Sequence, residues 1–168
     1  METMKTAAAL AVAALLAGGA GTAFAQSKSA MKPMSADEKR GQYLVRIGGC
    51  NDCHTPEYPE KDGKVDQSIW LTGSILGWRG PWGTTYPANL RLVVQGMSEA
   101  DWMKRARSAL RPPMPWFNLR DMSDSDLRAI YHFIKYLGPA GKPAPDYVPP
   151  DREPMPPFVQ FPAPPPKK

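Results

Sequence analysis

Apolar positions along the chain fall into four regimes. The first is unbroken: behind Lys5 comes "TAAALAVAALLAGGAGTAFA", almost wholly small residues and leucine. It closes on Ala23-Phe24-Ala25, the small-x-small pattern that a signal peptidase reads, so residues 1–25 are expected to be an export signal cleaved after Ala25. The run is short for a bilayer, rich in Ala and Gly, and lacks a basic stop, which argues against a spanning helix. The polar "QSKSAMKPM" of residues 26–34 reads as a mobile leader.

Helical periodicity is the second regime, and it occurs three times. Ser35 with Glu38 three residues on forms a capping-box pattern, followed by Gly41, Leu44, Val45 and Gly48 on one face. Two glycines on that face weaken a helix unless another backbone comes close, and the helix is expected to run straight into Cys50. Ser98 then caps "EADWMKRARSAL", with Trp102, Ala106, Ala109 and Leu110 as its inner face and "RPP" as its stop. The last helix is the clearest. Ser123 caps it, Asp124 and Asp126 occupy its first turn, and Leu127, Ile130, Tyr131, Ile134 and Leu137 form its stripe before Gly138-Pro139.

Between these, from Thr55 to about Gly96, no period of two or 3.6 is sustained, and Gly, Pro and Trp are frequent. Loops with at most a short helical turn are expected, and so long an irregular stretch in a compact domain usually wraps something. The fourth regime, residues 139–168, is too proline-rich for a helix or a central strand and reads as an extended polyproline-like tail. Its Tyr147, Val148, Phe158, Val159 and Phe161 exceed what a solvated linker needs, which suggests packing along the domain or a partner. The expected organisation is a signal (1–25), a leader (26–34), one domain (35–138) and a tail (139–168).

Charge adds a docking preference. The chain of 168 residues carries a formal charge of +5, and loss of residues 1–25 removes one acid, Glu2, and one base, Lys5, leaving the excess unchanged. The basic residues are scattered without a five-residue Lys/Arg block, which favours steering toward an acidic partner or surface over nucleic-acid binding.

The candidate chemistry is concentrated in "GGCNDCHTP", residues 48–56, which holds both cysteines and one of two histidines. A Cys50–Cys53 disulfide would close a very small loop and leave the adjacent His54 unexplained. A thioredoxin-like dithiol needs a βαβ neighbourhood that the pattern does not supply. Zinc needs four ligands, and His132 falls opposite the apolar stripe of the last helix. Covalent haem attachment accounts for every member of C-x-x-C-H: the two thiols form thioethers with the porphyrin vinyl groups, and the imidazole reaches the iron. A large apolar cofactor also gives the irregular middle something to wrap.

With these residues in view, the chain resembles a small, exported, mono-haem class I cytochrome c over roughly Ser35 to Gly138, most specifically at "CNDCH" and "RPPMPW". The resemblance implies an all-α class I fold whose first and last helices cross, with Gly41 a candidate for the contact and Tyr131 its candidate partner, and one haem c on Cys50, Cys53 and His54. It also implies a methionine ligand in a rigid loop before the last helix. Met114, fixed between two prolines, fits that place, with Met122 as the reserve. Met103 reads as core filler, Met97 and Met122 precede helix caps, and the helical arithmetic points His132 to solvent.

The ring nitrogen of His54 away from iron should donate to a backbone carbonyl, from "HTPEYP" or a later loop. Trp78, Arg79, Trp82, Tyr86 and Arg91 are candidates for packing on haem or holding its propionates, and "YPANL" resembles the family's Pro-Asn-Leu segment with an extra alanine. The implied function is non-enzymatic: a periplasmic one-electron carrier between protein donor and acceptor with acidic docking faces. Two alternatives are a haem subunit docked on a periplasmic dehydrogenase or oxidase, with peripheral association to a membrane complex, and a five-coordinate haem enzyme or sensor.

Overall fold

The capping box at Ser35 forms as the sequence expects: Ser35 Oγ accepts from the Glu38 N–H, and the Glu38 carboxylate accepts from the Ser35 N–H at 2.5 Å. The computed structural model describes residues 32–162, so the expected signal and most of the leader lie outside the described residues. Helix α1 spans Ala36–Ile47 and buries Gly41, Leu44 and Val45. It does not continue into Cys50. Gly48 ends it, Gly49 turns the chain at φ 71°, and a separate short helix α2 spans Cys50–His54. A left-handed residue at Gly49 breaks the helical path and re-aims the cysteines, a role open to glycine because it has no Cβ to clash.

Besides a single 3-10 turn at Gln67–Ile69, helices α3 (Leu90–Gln95, capped by Asn89), α4 (Glu99–Ala106, capped by Ser98), α5 (Trp116–Asp121) and α6 (Asp124–Leu137, capped by Ser123) complete the helical set among the described residues. Helix α4 stops at Ala106, so Ala109 and Leu110 fall beyond it, and Ala109 is exposed. The expected stripe of α6 is buried in full, together with Ala129 and Phe133. Its buried face is wide because α1, α3 and α4 all pack on it.

At the closest α1–α6 approach, a Cβ on Gly41 would lie 2.0 Å from the Ala129 carbonyl oxygen and 2.7 Å from Phe133 Cβ. The expected contact with Tyr131 is therefore corrected. Residues 129 and 133 share one row of the helix, whereas 131 is rotated about 200° from 129. Tyr131 instead donates its hydroxyl to the Met97 carbonyl at 3.0 Å.

The expectation of a purely α-helical fold is also corrected. Strands β1 (Gly77–Gly80) and β2 (Gly83–Thr85) form an antiparallel hairpin, and β3 (Phe158–Gln160) adds to β1 in parallel, giving the order β2-β1-β3. The proline-rich tail is thus extended but not free-standing: Gly77 pairs with Phe158, Trp78 with Val159 and Arg79 with Gln160. Two further ties hold it, a bridge between Thr84 and Val148 and the Tyr147 hydroxyl donating to the Trp82 carbonyl at 2.7 Å. Residues 33–162 belong to one compact unit whose core includes Val45, Leu71, Val94, Leu127, Phe133 and Ile134. Among the described residues, no helix is long and apolar enough to cross a membrane.

Candidate haem-attachment site

Helix α2 has five residues, too few to be stable alone, so its position must come from tertiary bonds. Asn51 is fully buried, and its Oδ1 accepts from Thr55 Oγ1 at 2.8 Å; that hydroxyl oxygen accepts from the Leu71 N–H, also at 2.8 Å. The His54 carbonyl accepts from the Gly73 N–H at 2.8 Å. Gly73 has φ 82°, and a Cβ there would lie 2.8 Å from the Asn89 nitrogen and 2.9 Å from the Pro87 carbonyl oxygen. Only a glycine lets the 71–73 and 87–89 segments close on α2 this tightly.

These segments bring the Ala88 carbonyl 2.7 Å from His54 Nδ1. A carbonyl can only accept, so Nδ1 carries the proton and Nε2 keeps its lone pair. Burial pushes the imidazole pKa below the ordinary histidine value, against the smaller opposing effect of the Ala88 carbonyl, and this also favours the neutral ring that a metal requires. The acceptor belongs to the alanine of "YPANL".

Cys50 and Cys53 are free thiols, both partly buried. Burial pushes the Cys50 thiol up to about 11 and raises Cys53 as well, with the Asp52 carboxylate adding to both. A redox dithiol needs the opposite, a thiol pKa lowered toward neutrality. Among the described residues, no three His, Cys, Asp or Glu side chains converge as a set that could hold an ion.

Trp78 on β1 lines a small, acidic cleft with Asp52, Cys53, Glu57, Glu60 and Ser74 among its neighbours. Its Nε1–H is buried and has no hydrogen-bond partner among the described residues. Of the other aromatic and basic residues singled out from the sequence, Trp82, Arg79 and Arg91 are engaged. Trp82 Nε1 donates to the Trp78 carbonyl at 3.3 Å, and Arg79 pairs with Glu153 at 2.5 Å. Arg91 is buried, donating to the Gly138 carbonyl at 2.6 Å, the Ser68 carbonyl at 2.5 Å and the Leu137 carbonyl. It closes the C-terminus of α6, whose last carbonyls have no partners within the helix.

Met114 sits between Pro113 and Pro115, half-buried and packed against the core. Thr85 Oγ1 donates to the Pro112 carbonyl at 2.7 Å and ties this loop to β2. Behind it, Arg107 donates to the carbonyls of Leu119 at 3.3 Å, Met122 at 2.8 Å and Arg120, and pairs with Asp124 at 2.5 Å, clasping α5 to the start of α6. Met122 and Met103 also pack against the core, and the Met122 methyl would lie 3.6 Å from a Cβ on Gly48. His132 is half-exposed, 3.1 Å from Glu99 and 3.6 Å from Asp37.

Sequence reasoning missed the Asn51–Thr55–Leu71 lock and the Arg107 clasp. Thr55 directly after His54 was a usable signal, because a hydroxyl one turn beyond a buried asparagine can bond both to it and to a backbone N–H. Arg107 gave no signal, being one arginine among several in "KRARSALR".

Three curated relatives match the chain. It is 30% identical over 126 residues to an alcohol dehydrogenase (quinone), cytochrome c subunit, of Gluconobacter oxydans, covering 67% of this chain and 24% of that protein. Subunits of the same name from Gluconacetobacter polyoxogenes and Komagataeibacter europaeus are each 29% identical over 136 residues, covering 74% of this chain and 26% of theirs. The chain therefore spans about a quarter of the length of the curated relatives it matches, and the relationship is to c-type cytochromes. No family model matches the chain, and no solved structure matches it.

Proposed function

We propose, from that relationship to c-type cytochromes, that the chain is an exported one-electron carrier holding a single haem c through thioethers from Cys50 and Cys53. His54 Nε2 and Met114 Sδ are the two axial ligands in this reading. The observation that carries it is the 2.7 Å bond from His54 Nδ1–H to the Ala88 carbonyl, which leaves Nε2 as a lone-pair donor on the residue that follows the C-x-x-C pair. When bound, the haem supplies a reversible one-electron couple between ferric and ferrous iron, with methionine ligation raising its potential.

The chain's own residues do the rest. The high thiol pKa values of Cys50 and Cys53 keep both sulfurs protonated until attachment. Ala88 fixes the tautomer and the plane of the imidazole. Pro113 and Pro115 hold the Met114 backbone. The cytochrome unit in this proposal is residues 35–138, with 139–168 as its tail, and export follows from the residues 1–25 pattern.

Docking on a dehydrogenase is favoured over a free shuttle by the names of the relatives, all cytochrome c subunits of a quinone alcohol dehydrogenase. The excess positive charge suits an acidic face on such a partner. Carbon monoxide tests the ligation: the reduced carrier resists binding, whereas a five-coordinate haem enzyme or sensor binds it at once. Affinity purification from the native membrane fraction tests docking, with co-purification of a dehydrogenase expected and recovery of the chain alone as the contrary result.

A further inference from the structure

Met114 stands in a segment poor in backbone donors: of residues 111–115, Pro112, Pro113 and Pro115 carry no N–H. Such a loop cannot be laced down by its own amides, so much of its hold must come from outside. From one side Thr85 Oγ1, at the end of β2, donates to the Pro112 carbonyl at 2.7 Å. From the other, the Arg111 guanidinium lies over the Tyr147 ring, 4.2 Å from its centroid.

Tyr147 belongs to the C-terminal tail, and it reaches the hairpin as well. Its hydroxyl donates to the Trp82 carbonyl at 2.7 Å, and the next residue, Val148, exchanges two backbone bonds with Thr84, at 2.7 and 3.0 Å. Gly83, at φ 94°, lets the tail come this close: a Cβ there would lie 2.5 Å from the Val148 carbonyl oxygen and 2.7 Å from the Tyr147 hydroxyl. The start of the tail is fixed separately, by the Asn89 side chain donating to the Ala140 and Lys142 carbonyls at 2.8 and 3.0 Å. Tyr147 is thus a half-buried residue with its hydroxyl on the β1–β2 turn and its ring against Arg111, three positions before Met114. Thr85 is only as firm an anchor as β2 itself, a three-residue strand held between β1 and Val148.

We propose that Tyr147 is a positioning residue for Met114: its ring seats Arg111 and its hydroxyl holds the hairpin turn, so the tail keeps the 111–115 loop where it presents the methionine sulfur. This rests on the haem reading above, with Met114 as an axial ligand. The loop exchanges between a ligating arrangement and a withdrawn one, and removing a brace from the first raises the population of the second. The tail thereby sets how closed the sixth position stays, from a part of the chain that supplies no ligand.

The test uses the full-length, haem-loaded protein and two readouts. One is the rate at which the reduced form binds carbon monoxide. The other is hydrogen exchange in the peptide 111–118, whose Trp116 and Asn118 amides bond to the Met114 and Pro115 carbonyls, so that it follows the loop without reference to iron. Tyr147→Ala raises the carbon monoxide rate about 2- to 30-fold, the population change that loss of a cation–π contact allows, and quickens exchange in the peptide. Arg111→Ala moves both readouts the same way, and the double variant goes no further than Tyr147→Ala, because both changes remove one contact. Tyr147→Phe keeps a ring for Arg111 and stays nearer to wild type than to Tyr147→Ala. A tail that only adds stability would lower the unfolding midpoint and leave the carbon monoxide rate alone. An unmoved rate or exchange in Tyr147→Ala, equal effects of Tyr147→Phe and Tyr147→Ala, or additive effects in the double variant overturn the proposal and leave the haem reading standing. A wild-type protein that binds carbon monoxide at once when reduced, or carries no haem after denaturation, overturns the ligation reading and the proposal with it. If Tyr147→Ala fails to accumulate, Tyr147→Leu, which fills space without an aromatic face, takes its place with the same expectations.

Discussion

His54 Nδ1 stands 2.7 Å from the carbonyl oxygen of Ala88, and what holds the two together is Gly73, whose backbone bonds to His54 on one side and abuts residues 87–89 on the other. Gly73→Ala adds a Cβ within 2.9 Å of two backbone atoms at a residue with φ 82°. Stability should fall by about 1–3 kcal/mol in a denaturant titration. Pushing Ala88 away also weakens the bond that makes the imidazole a stronger donor. The potential of the haem-loaded variant should therefore rise, and a lost stability with an unmoved potential would detach Ala88 from the site.

Gly41→Ala tests the α1–α6 contact. The added methyl meets the Ala129 carbonyl at 2.0 Å, with backbone on both sides and no flexible side chain to yield. The helices must separate, and a loss of about 3 kcal/mol or more is expected in the unfolding midpoint, against the slight gain that alanine gives in an unobstructed helix. Tyr131→Phe, by contrast, removes one bond to the Met97 carbonyl and costs about 1 kcal/mol.

Arg91→Ala leaves the carbonyls of Ser68, Leu137 and Gly138 without their donor. A stability loss of about 3 kcal/mol is expected, since bonds to a charged donor are worth more than neutral ones. Arg91→Lys should recover only part of it, because an ammonium does not reproduce the planar fork. The potential of either variant, measured on protein that folds, should stay near wild type; a large shift would return Arg91 to the propionates.

Met114→Ala should abolish the weak sulfur-to-iron charge-transfer absorption, lower the potential and open the reduced protein to carbon monoxide. Met122→Ala should keep all three properties and lose only packing stability, about 2 kcal/mol for a half-buried methionine. The opposite pattern would transfer the ligand role to Met122.

How legible these features were depended on whether they were local. The Ser35 and Ser123 caps and the α6 stripe are set by residues three or four apart, and the sequence displays them directly. Helix α3 was hidden because six residues give no period, although Asn89, whose side chain accepts from the Leu92 N–H, was a readable cap. Helix α5 follows Pro115, a start signal overshadowed by the ligand question at Met114. The β1–β2 hairpin escaped because "GWRG" and "GTT" are too short and glycine-rich to alternate. Its pairing with β3 joins residues about 80 positions apart, which no local pattern encodes; only the surplus of aromatic and branched residues in the tail hinted at it. At the site, the C-x-x-C-H spacing carries the proposed chemistry, whereas the acceptor for His54 could be found only by seeing which loop Gly73 admits.

The most direct test of the account is mass spectrometry of the exported, full-length protein after denaturation and digestion. The account predicts one haem attached through two thioethers to the peptide containing Cys50, Cys53 and His54, and no free thiol. A peptide of unmodified mass, or one two hydrogens lighter from a Cys50–Cys53 disulfide, would contradict it.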